Sequence, residues 1–259
     1  ALVKRKVGLR TIYTGLFSTG NFNETTANFY TDHVLMTAHQ EMLREMELLF
    51  MFLAKRVKPS NPNLINFQLL LVAQFNLQQR FIDLIDREIA HSKNGNPASI
   101  IIKLNNLEEK VLIAKLYEAS NAGVNIELII RGICRLVAGV NDMSENISVR
   151  RIVDRYLEHG RIFVFNNAGN EEIFMGSADW MNRNIYRRIE VCFPILDTNI
   201  KQQIKEMLQI QLADNAKAVF VNDQMQNVPI VTKGKSIQSQ YEIYQFLKEE
   251  KYEKRNDKN

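Results

Sequence analysis

The chain has 259 residues, enough for one or two domains, and its 46% hydrophobic and 24% charged content excludes collagen and wholesale disorder. Two cysteines, Cys134 and Cys192, are too few for a disulfide scaffold and point to a reducing cytosol. The net charge of +4 (33 − 29) permits a polyanionic ligand without demanding one, and no apolar run approaches the roughly 20 residues that span a bilayer. The opening Ala1-Leu2-Val3-Lys4-Arg5-Lys6 has neither a long apolar core nor a cleavage site and is not a signal peptide. With no initiator Met and a pattern that starts in mid-element, the sequence is expected to be a piece of a longer protein.

In chain order, Ala1–Arg5 and Thr11–Phe17 are rich in strand formers around a Gly8 turn and read as a hairpin. His39–Lys55 repeats Met, Leu and Phe at helical spacing. Lys58-Pro59-Ser60-Asn61-Pro62-Asn63 is the best linker, which divides the chain into segments 1–60 and 61–259. Beyond it the pattern predicts a helix at Leu77–His91, a strand at Ser99–Lys103 and a helix at Asn106–Ser120 closed by Asn121-Ala122-Gly123. The mostly apolar strand Val124–Ile130 has the pattern of burial on both faces and ends at Arg131-Gly132. A loop at Ala138–Asn146 and an ambiguous strand or helix at Val149–Tyr156 come next. Arg161–Phe165 and Glu171–Met175 form a second hairpin, followed by a strand at Arg188–Pro194 and a helix at Asn199–Asp214. The charged tail from Lys248 is expected to fray. Alternating strands and helices indicate an α/β fold.

An internal repeat is more informative. Ser18-Thr19-Gly20-Asn21 follows the first hairpin and Gly176-Ser177-Ala178-Asp179 the second; each continues with an aromatic residue, Phe22 or Trp180, and reaches an acid, Asp32 or Glu190, at a constant offset of 158. Chance is one explanation, because polar turns are common. The other is duplication, with two half-sites facing each other across a pseudo-twofold axis. The second copy is preceded by Glu158-His159-Gly160-Arg161, whose counterpart falls just ahead of Ala1 if the hairpins differ by a few residues.

A His, one residue, a cation, a hairpin and G-S-x-[N/D] resemble the H-x-K pattern of the phospholipase D superfamily. Longer strings narrow the resemblance to bacterial polyphosphate kinases. They are Ser18-Thr19-Gly20-Asn21-Phe22-Asn23-Glu24 with Tyr30-Thr31-Asp32; Leu116-Tyr117-Glu118-Ala119-Ser120 and Ala122-Gly123-Val124; Ile130-Arg131-Gly132-Ile133-Cys134; Leu157-Glu158-His159; and Ser177-Ala178-Asp179-Trp180-Met181 with Arg183-Asn184 and Arg187-Arg188-Ile189-Glu190-Val191. The resemblance implies phospholipase D-like mixed sheets flanked by helices, in two pseudo-twofold halves of which the first is truncated here. It implies reversible transfer of the ATP γ-phosphoryl group to polyphosphate through a phosphohistidine that lies upstream of this chain. It also implies Mg²⁺ with ATP, further N-terminal domains, a homo-oligomer and no nucleic-acid partner. Three positions depart from the family pattern, Ala138 and Gln74 where Pro is common and Asp154 where Gly is, and they bear on loop shape.

By the resemblance, Tyr30, Arg131 and His159 contact nucleotide or phosphate. His159 is the acid or base of the second half, a role suited to an imidazole near pH 7. Arg131, at a strand's carboxyl end, has the fork geometry to grip phosphate, or simply solvates that end. Tyr30 stacks on adenine or packs as a half-buried strand residue. Asp32 and Glu190 each orient the histidine of the opposite half, or pair with Arg187, Arg188 or lysines. Asn21, Ser177 and Asp179 line an anion site or only shape turns. Arg183 and Asn184 reach phosphate or form a solvated face, and Arg161 is a supporting residue. Arg150, Arg151, Arg155 and Arg161 form a loose basic patch suited to polyphosphate, or a solvated face. His33, His39 and His91 are structural, Trp180 is core, and no metal-ligand cluster or P-loop is present. The alternatives on the same fold are a phosphodiesterase or nuclease, and a non-catalytic polyanion-binding module.

Overall fold

The structure, a computed structural model, describes residues 1–57, 65–232 and 234–256. The expected linker at Lys58–Asn63, and with it the boundary at residue 60, lies outside the described residues.

Strands β1 (Leu2–Val7) and β2 (Arg10–Ser18) form the first hairpin, and β4 (Val34–Thr37) pairs antiparallel with β2. Between them, β3 (Tyr30–Thr31) leaves this sheet and pairs in parallel with β9 (Leu157–Glu158), 127 residues away. Helix α1 (Gln40–Ala54) starts at His39, whose ring accepts the Met42 N–H, so the structural reading of His39 is a cap. Its Met42, Leu43, Met46, Leu49 and Phe52 repeat at three and four residues and all face inward.

The larger sheet has nine strands in the order β14-β13-β8-β7-β6-β10-β11-β12-β5. At its centre β6 (Ser99–Leu104), β7 (Asn125–Ile130) and β8 (Ile147–Ile152) run parallel, while β10 (Arg161–Phe165), β11 (Glu172–Gly176) and β12 (Val191–Pro194) are antiparallel neighbours on one side. The edges are β5 (Leu71–Val72) on that side and β13 (Ala218–Val221) with β14 (Asn227–Pro229) on the other. Helices α2 (Leu77–Lys93) and α3 (Lys110–Asn121) cover one face, packing Phe81, Ile85 and Leu116 against Ile100, Leu128 and Phe163. The short helix α4 (Asn182–Arg187) joins β11 to β12, and the opposite face is shared by α1, β2 and α5 (Thr198–Leu212); there Phe17 packs on Phe193 with ring centroids 5.0 Å apart. The mixed sheet flanked by helices is the expected fold class.

The repeat is visible in strand register. Leu16 faces Met36, Phe17 faces Leu35 and Ser18 faces Val34; 158 residues on, Phe174 faces Pro194, Met175 faces Phe193 and Gly176 faces Cys192. The hairpins differ. Gly15 is opposite Leu2 whereas its counterpart Ile173 is opposite Val164, so Leu2 matches Val164 at an offset of 162 and the position matching His159 falls ahead of Ala1.

Four expectations are corrected. The helix expected from Asn106 starts at Lys110, because Leu107 bridges to Cys134 and Trp180 and Glu109 caps the helix by accepting the Leu112 N–H at 2.8 Å. Val149–Tyr156 resolves as the β8 strand, paired with β7 and β13 and ending at Ile152. The strand expected from Arg188 starts only at Val191, since Glu190 turns into the interior. The tail does not fray at Lys248: helix α6 (Ser239–Asn256) runs through it and packs on α5, where Gln203 donates to Glu250.

Candidate functional site

The carboxyl ends of β6 and β7, the turn after β11 and the start of β10 meet at one edge of the large sheet, as expected where open α/β sheets bind ligands. The turn after β2 closes over them. Between lies a cleft of about 260 Å³ lined mainly by polar side chains, His159, Arg131 and Arg161 among them.

His159 stands between the halves. Its Nδ1 lies 2.9 Å from Asp32 Oδ1, and its ring packs on Tyr30 with centroids 4.6 Å apart. Because the carboxylate only accepts, Nδ1 carries the proton and the Nε2 lone pair points into the cleft; Arg161 Nη1 lies against the ring face, 3.0 Å from Nδ1 and 2.9 Å from Nε2. Burial by itself would raise the Asp32 carboxyl, but hydrogen bonds from His159 and Thr19 Oγ1 outweigh it and hold the group below its ordinary range. Asp32 fits only because residue 20 is glycine: a Cβ there would lie 2.1 Å from Asp32 Oδ2. The structure thus sets Asp32 beside the histidine of the other half.

Asp179 lines the cleft and also braces the groups around it. It is buried, and its carboxylate accepts Arg161 Nε at 3.2 Å and Nη2 at 3.0 Å together with the backbone N–H groups of Asn105 at 2.9 Å and Asn106 at 3.0 Å. Arg161 so held donates through Nη1 to Thr19 O, tying the second half to the first. Asn105, fixed by the same carboxylate, accepts Arg131 Nε at 2.6 Å. One buried acid thus sets the positions of two guanidinium groups.

Glu190 matches Asp32 in chemistry as well as number. Thr19 Oγ1 donates to Asp32 and accepts the His33 N–H; Ser177 Oγ donates to Glu190 at 2.5 Å and accepts the Val191 N–H at 3.2 Å. Asn184 Nδ2 adds a 2.6 Å hydrogen bond to Glu190. Among the described residues no ion pair joins Asp32 or Glu190 to Arg187, Arg188 or a lysine.

Tyr30, Arg131, His159, Asn21, Ser177, Asp179, Glu190, Arg161 and Arg183 all line the cleft, and Asp32 lies directly behind His159. Asn184, a candidate from the sequence, also lines the cleft, whereas Asn105, Thr19 and Arg188 were not expected there. Thr19 and Arg188 carried a signal, since both lie inside the recognised strings; Asn105 had none, because only the parallel β6–β7 pairing brings it beside Arg131. His33 is structural but close. Burial, with Lys103 nearby, pushes its imidazole down to about 4. The basic patch is dispersed: Arg150 stacks over Phe220, Arg151 donates to Gly132 O and Asn227, Arg155 packs on Tyr156, and only Arg161 enters the cleft. Trp180 is fully buried, and burial pushes the free Cys134 and Cys192 thiols up, away from thiolate chemistry. His91 bonds Asn167 far from the cleft. The departure at Gln74 is accommodated by a left-handed φ of +66° that proline cannot take.

No group of three or more His, Cys, Asp or Glu among the described residues is placed to hold a metal. The three acids of the cleft are committed to His159, to Arg161 and to Ser177 with Asn184, so these residues do not form a Mg²⁺ cage of their own. No helix among the described residues is long and apolar enough to cross a membrane.

Comparison with known proteins agrees with this geometry. The profile of the polyphosphate kinase C-terminal domain 2 matches residues 70–240 and that of C-terminal domain 1 matches residues 1–59. Polyphosphate kinases of Klebsiella pneumoniae and Vibrio cholerae are 41% and 44% identical over 249 residues; each alignment covers 95% of this chain but only 36% and 35% of the relative. The crystal structure of polyphosphate kinase from Porphyromonas gingivalis superposes with a TM-score of 0.88 at 43% identity, covering 96% of this chain and 38% of that one. The chain therefore spans about a third of the length of the curated relatives it matches, and it belongs to the polyphosphate kinase family, whose two C-terminal domains it carries.

Proposed function

We propose that this segment is the C-terminal catalytic part of a polyphosphate kinase, which moves the γ-phosphoryl group reversibly between ATP and the end of an inorganic polyphosphate chain. The observation that carries the reading is the His159–Asp32 pair facing a cleft rich in arginine, in a chain of this family. Phosphoryl transfer asks the protein mainly for positioning and for positive charge around the equatorial oxygens. Arg131 and Arg161, each pre-oriented by Asn105 or Asp179, supply charge without reorganising, and exposed Arg183 extends it toward the cleft mouth. Asp32 keeps the His159 proton on Nδ1, so Nε2 is free to take or return a proton at the transferring group. Tyr30, beside His159, offers a face for the base or a hydroxyl for phosphate.

In the same reading the phosphorylated histidine, the remaining N-terminal domains and a homo-oligomeric assembly lie outside this segment. Mg²⁺ enters with the nucleotide and is held by its phosphates. The protein is cytoplasmic, which the two free, buried thiols support.

The test is made in the full-length enzyme. His159→Ala and Arg131→Ala each lower polyphosphate synthesis from ATP at least ~10²-fold, the scale of a lost acid–base group. Wild-type turnover in both variants overturns the assignment. Release of nucleoside monophosphate or phosphatidate by the wild type would instead favour a phosphodiesterase on this fold, and salt-sensitive polyphosphate binding without transfer a binding module.

A further inference from the structure

The segment that delivers His159 is held on two sides. β9 is only two residues long, and β3 pairs with one of its edges. On the other side stands the side-chain amide of Gln240, in the first turn of α6. Its Oε1 accepts the Tyr156 N–H at 3.0 Å, and its Nε2 donates to Tyr156 O at 2.9 Å and to Glu158 Oε1 at 2.7 Å. A carboxamide bonding both backbone groups of one residue replaces the neighbouring strand that β9 lacks.

Glu158 continues the linkage inward. It is 3% exposed and also accepts Lys103 Nζ, Gln211 Nε2 at 2.9 Å and Thr31 Oγ1 at 3.3 Å. Burial would raise its carboxyl, but Lys103 first and then Gln240 and Gln211 outweigh burial and keep it ionised. The first turn of α6 is itself anchored: the buried Asp214 accepts the Ser239 N–H at 2.7 Å while its other oxygen caps the 216–218 backbone. Asp214 thus anchors the backbone at Ser239, and the adjoining Gln240 carries the linkage by hydrogen bonds to residues 156 and 158, and by the chain to His159.

We infer that Gln240 is a positioning residue for His159: the C-terminal helix, which contributes nothing to the cleft wall, sets the placement of the imidazole against Asp32. The inference rests on the proposed kinase reading for its catalytic readout. An imidazole displaced by about an ångström loses up to 10²-fold in rate with little change in ground-state binding.

The experiment compares Gln240→Ala, Gln240→Glu and Gln238→Ala in the full-length enzyme. Gln238 lies on the same turn but donates only to the Asp154 side chain, so its variant controls for general loosening of the helix. Gln240→Ala is expected to lower kcat about tenfold with the KM for ATP near the wild-type value, and to speed amide exchange at Tyr156 and His159. Gln240→Glu, which keeps an acceptor for the Tyr156 N–H but sets a carboxylate against Glu158, is expected to lose more. Equal kcat losses in Gln238→Ala and Gln240→Ala, or unchanged exchange at Tyr156 and His159, overturn the inference. If the wild type shows no phosphoryl transfer, the kinase reading fails while the exchange comparison still decides whether Gln240 holds this segment.

Discussion

Replacing Asp179 isolates the group on which most of the cleft's order depends. In Asp179→Ala the Arg161 guanidinium, 5% exposed, loses its bidentate partner. Breaking a buried pair on one side costs about 3–5 kcal/mol. The Asn105 and Asn106 N–H groups also lose their acceptor; both residues are half-buried, so each adds about 1 kcal/mol, the low end for an unmade hydrogen bond. The expected total is about 5–7 kcal/mol, comparable to the whole stability of many domains. Asp179→Asn keeps an oxygen for the two amides but loses the charge and the acceptor of Arg161 Nη2, so about 3 kcal/mol is expected. Urea unfolding of the 259-residue chain reads this directly through Trp180, its single tryptophan and the next residue along. A double variant, Asp179→Leu with Arg161→Met, separates stability from function. Apolar replacement of a buried pair recovers most of the loss. Phosphoryl transfer in the full-length enzyme stays lost, because Arg161 Nη1 also reaches Thr19 O and His159. An Asp179→Asn chain within about 1 kcal/mol of the wild type would refute the reasoning, since that is the scale of an ordinary surface change.

Two further outcomes follow from the same geometry. His33 titrates at about 4 in the folded chain against 6.5 ordinarily, so the unfolded chain binds the extra proton between these values. Stability is therefore complete above pH 6.5 and falls as the pH drops toward 4, by up to about 3 kcal/mol. The lowered Asp32 carboxyl adds a loss of the same sign below its ordinary value of 3.8. His33→Gln is expected to flatten the slope between pH 6.5 and 4 in urea titrations, and an unchanged slope assigns it to other groups. Gly20→Ala places a methyl carbon 2.1 Å from Asp32 Oδ2, so the carboxylate must leave His159. Turnover of the full-length enzyme is expected to fall by about 10²-fold, as for His159→Ala, and activity within a factor of two of the wild type contradicts the Asp32–His159 assignment.

Much of this molecule is dictated locally. Apolar spacing in Met42-Leu43-Met46-Leu49 and the run Leu128-Ile129-Ile130 can be buried in one way each, as a helix face and a central strand, and both form as expected. The repeat of turn, aromatic and acid marked Asp32 and Glu190 as equivalent because identical local chemistry recurs: a hydroxyl donating to a carboxylate and accepting the amide beyond it. Chain-local patterns do not say which distant groups a side chain meets. That Asp179 holds Asn105 as well as Arg161 depends on β10 and β11 pairing beside β6, since Asp179 and Asn105 are 74 residues apart in the chain. That Arg150, Arg151 and Arg155 scatter while Arg161 enters the cleft follows from β8 ending at Ile152 and β10 beginning at Arg161, so that neighbours in sequence leave on different strands. That α6 carries the charged tail as helix, and that its first turn bonds the segment before β9, follows from its packing on α5 and the anchor at Asp214, since helices in proteins draw most of their stability from tertiary packing.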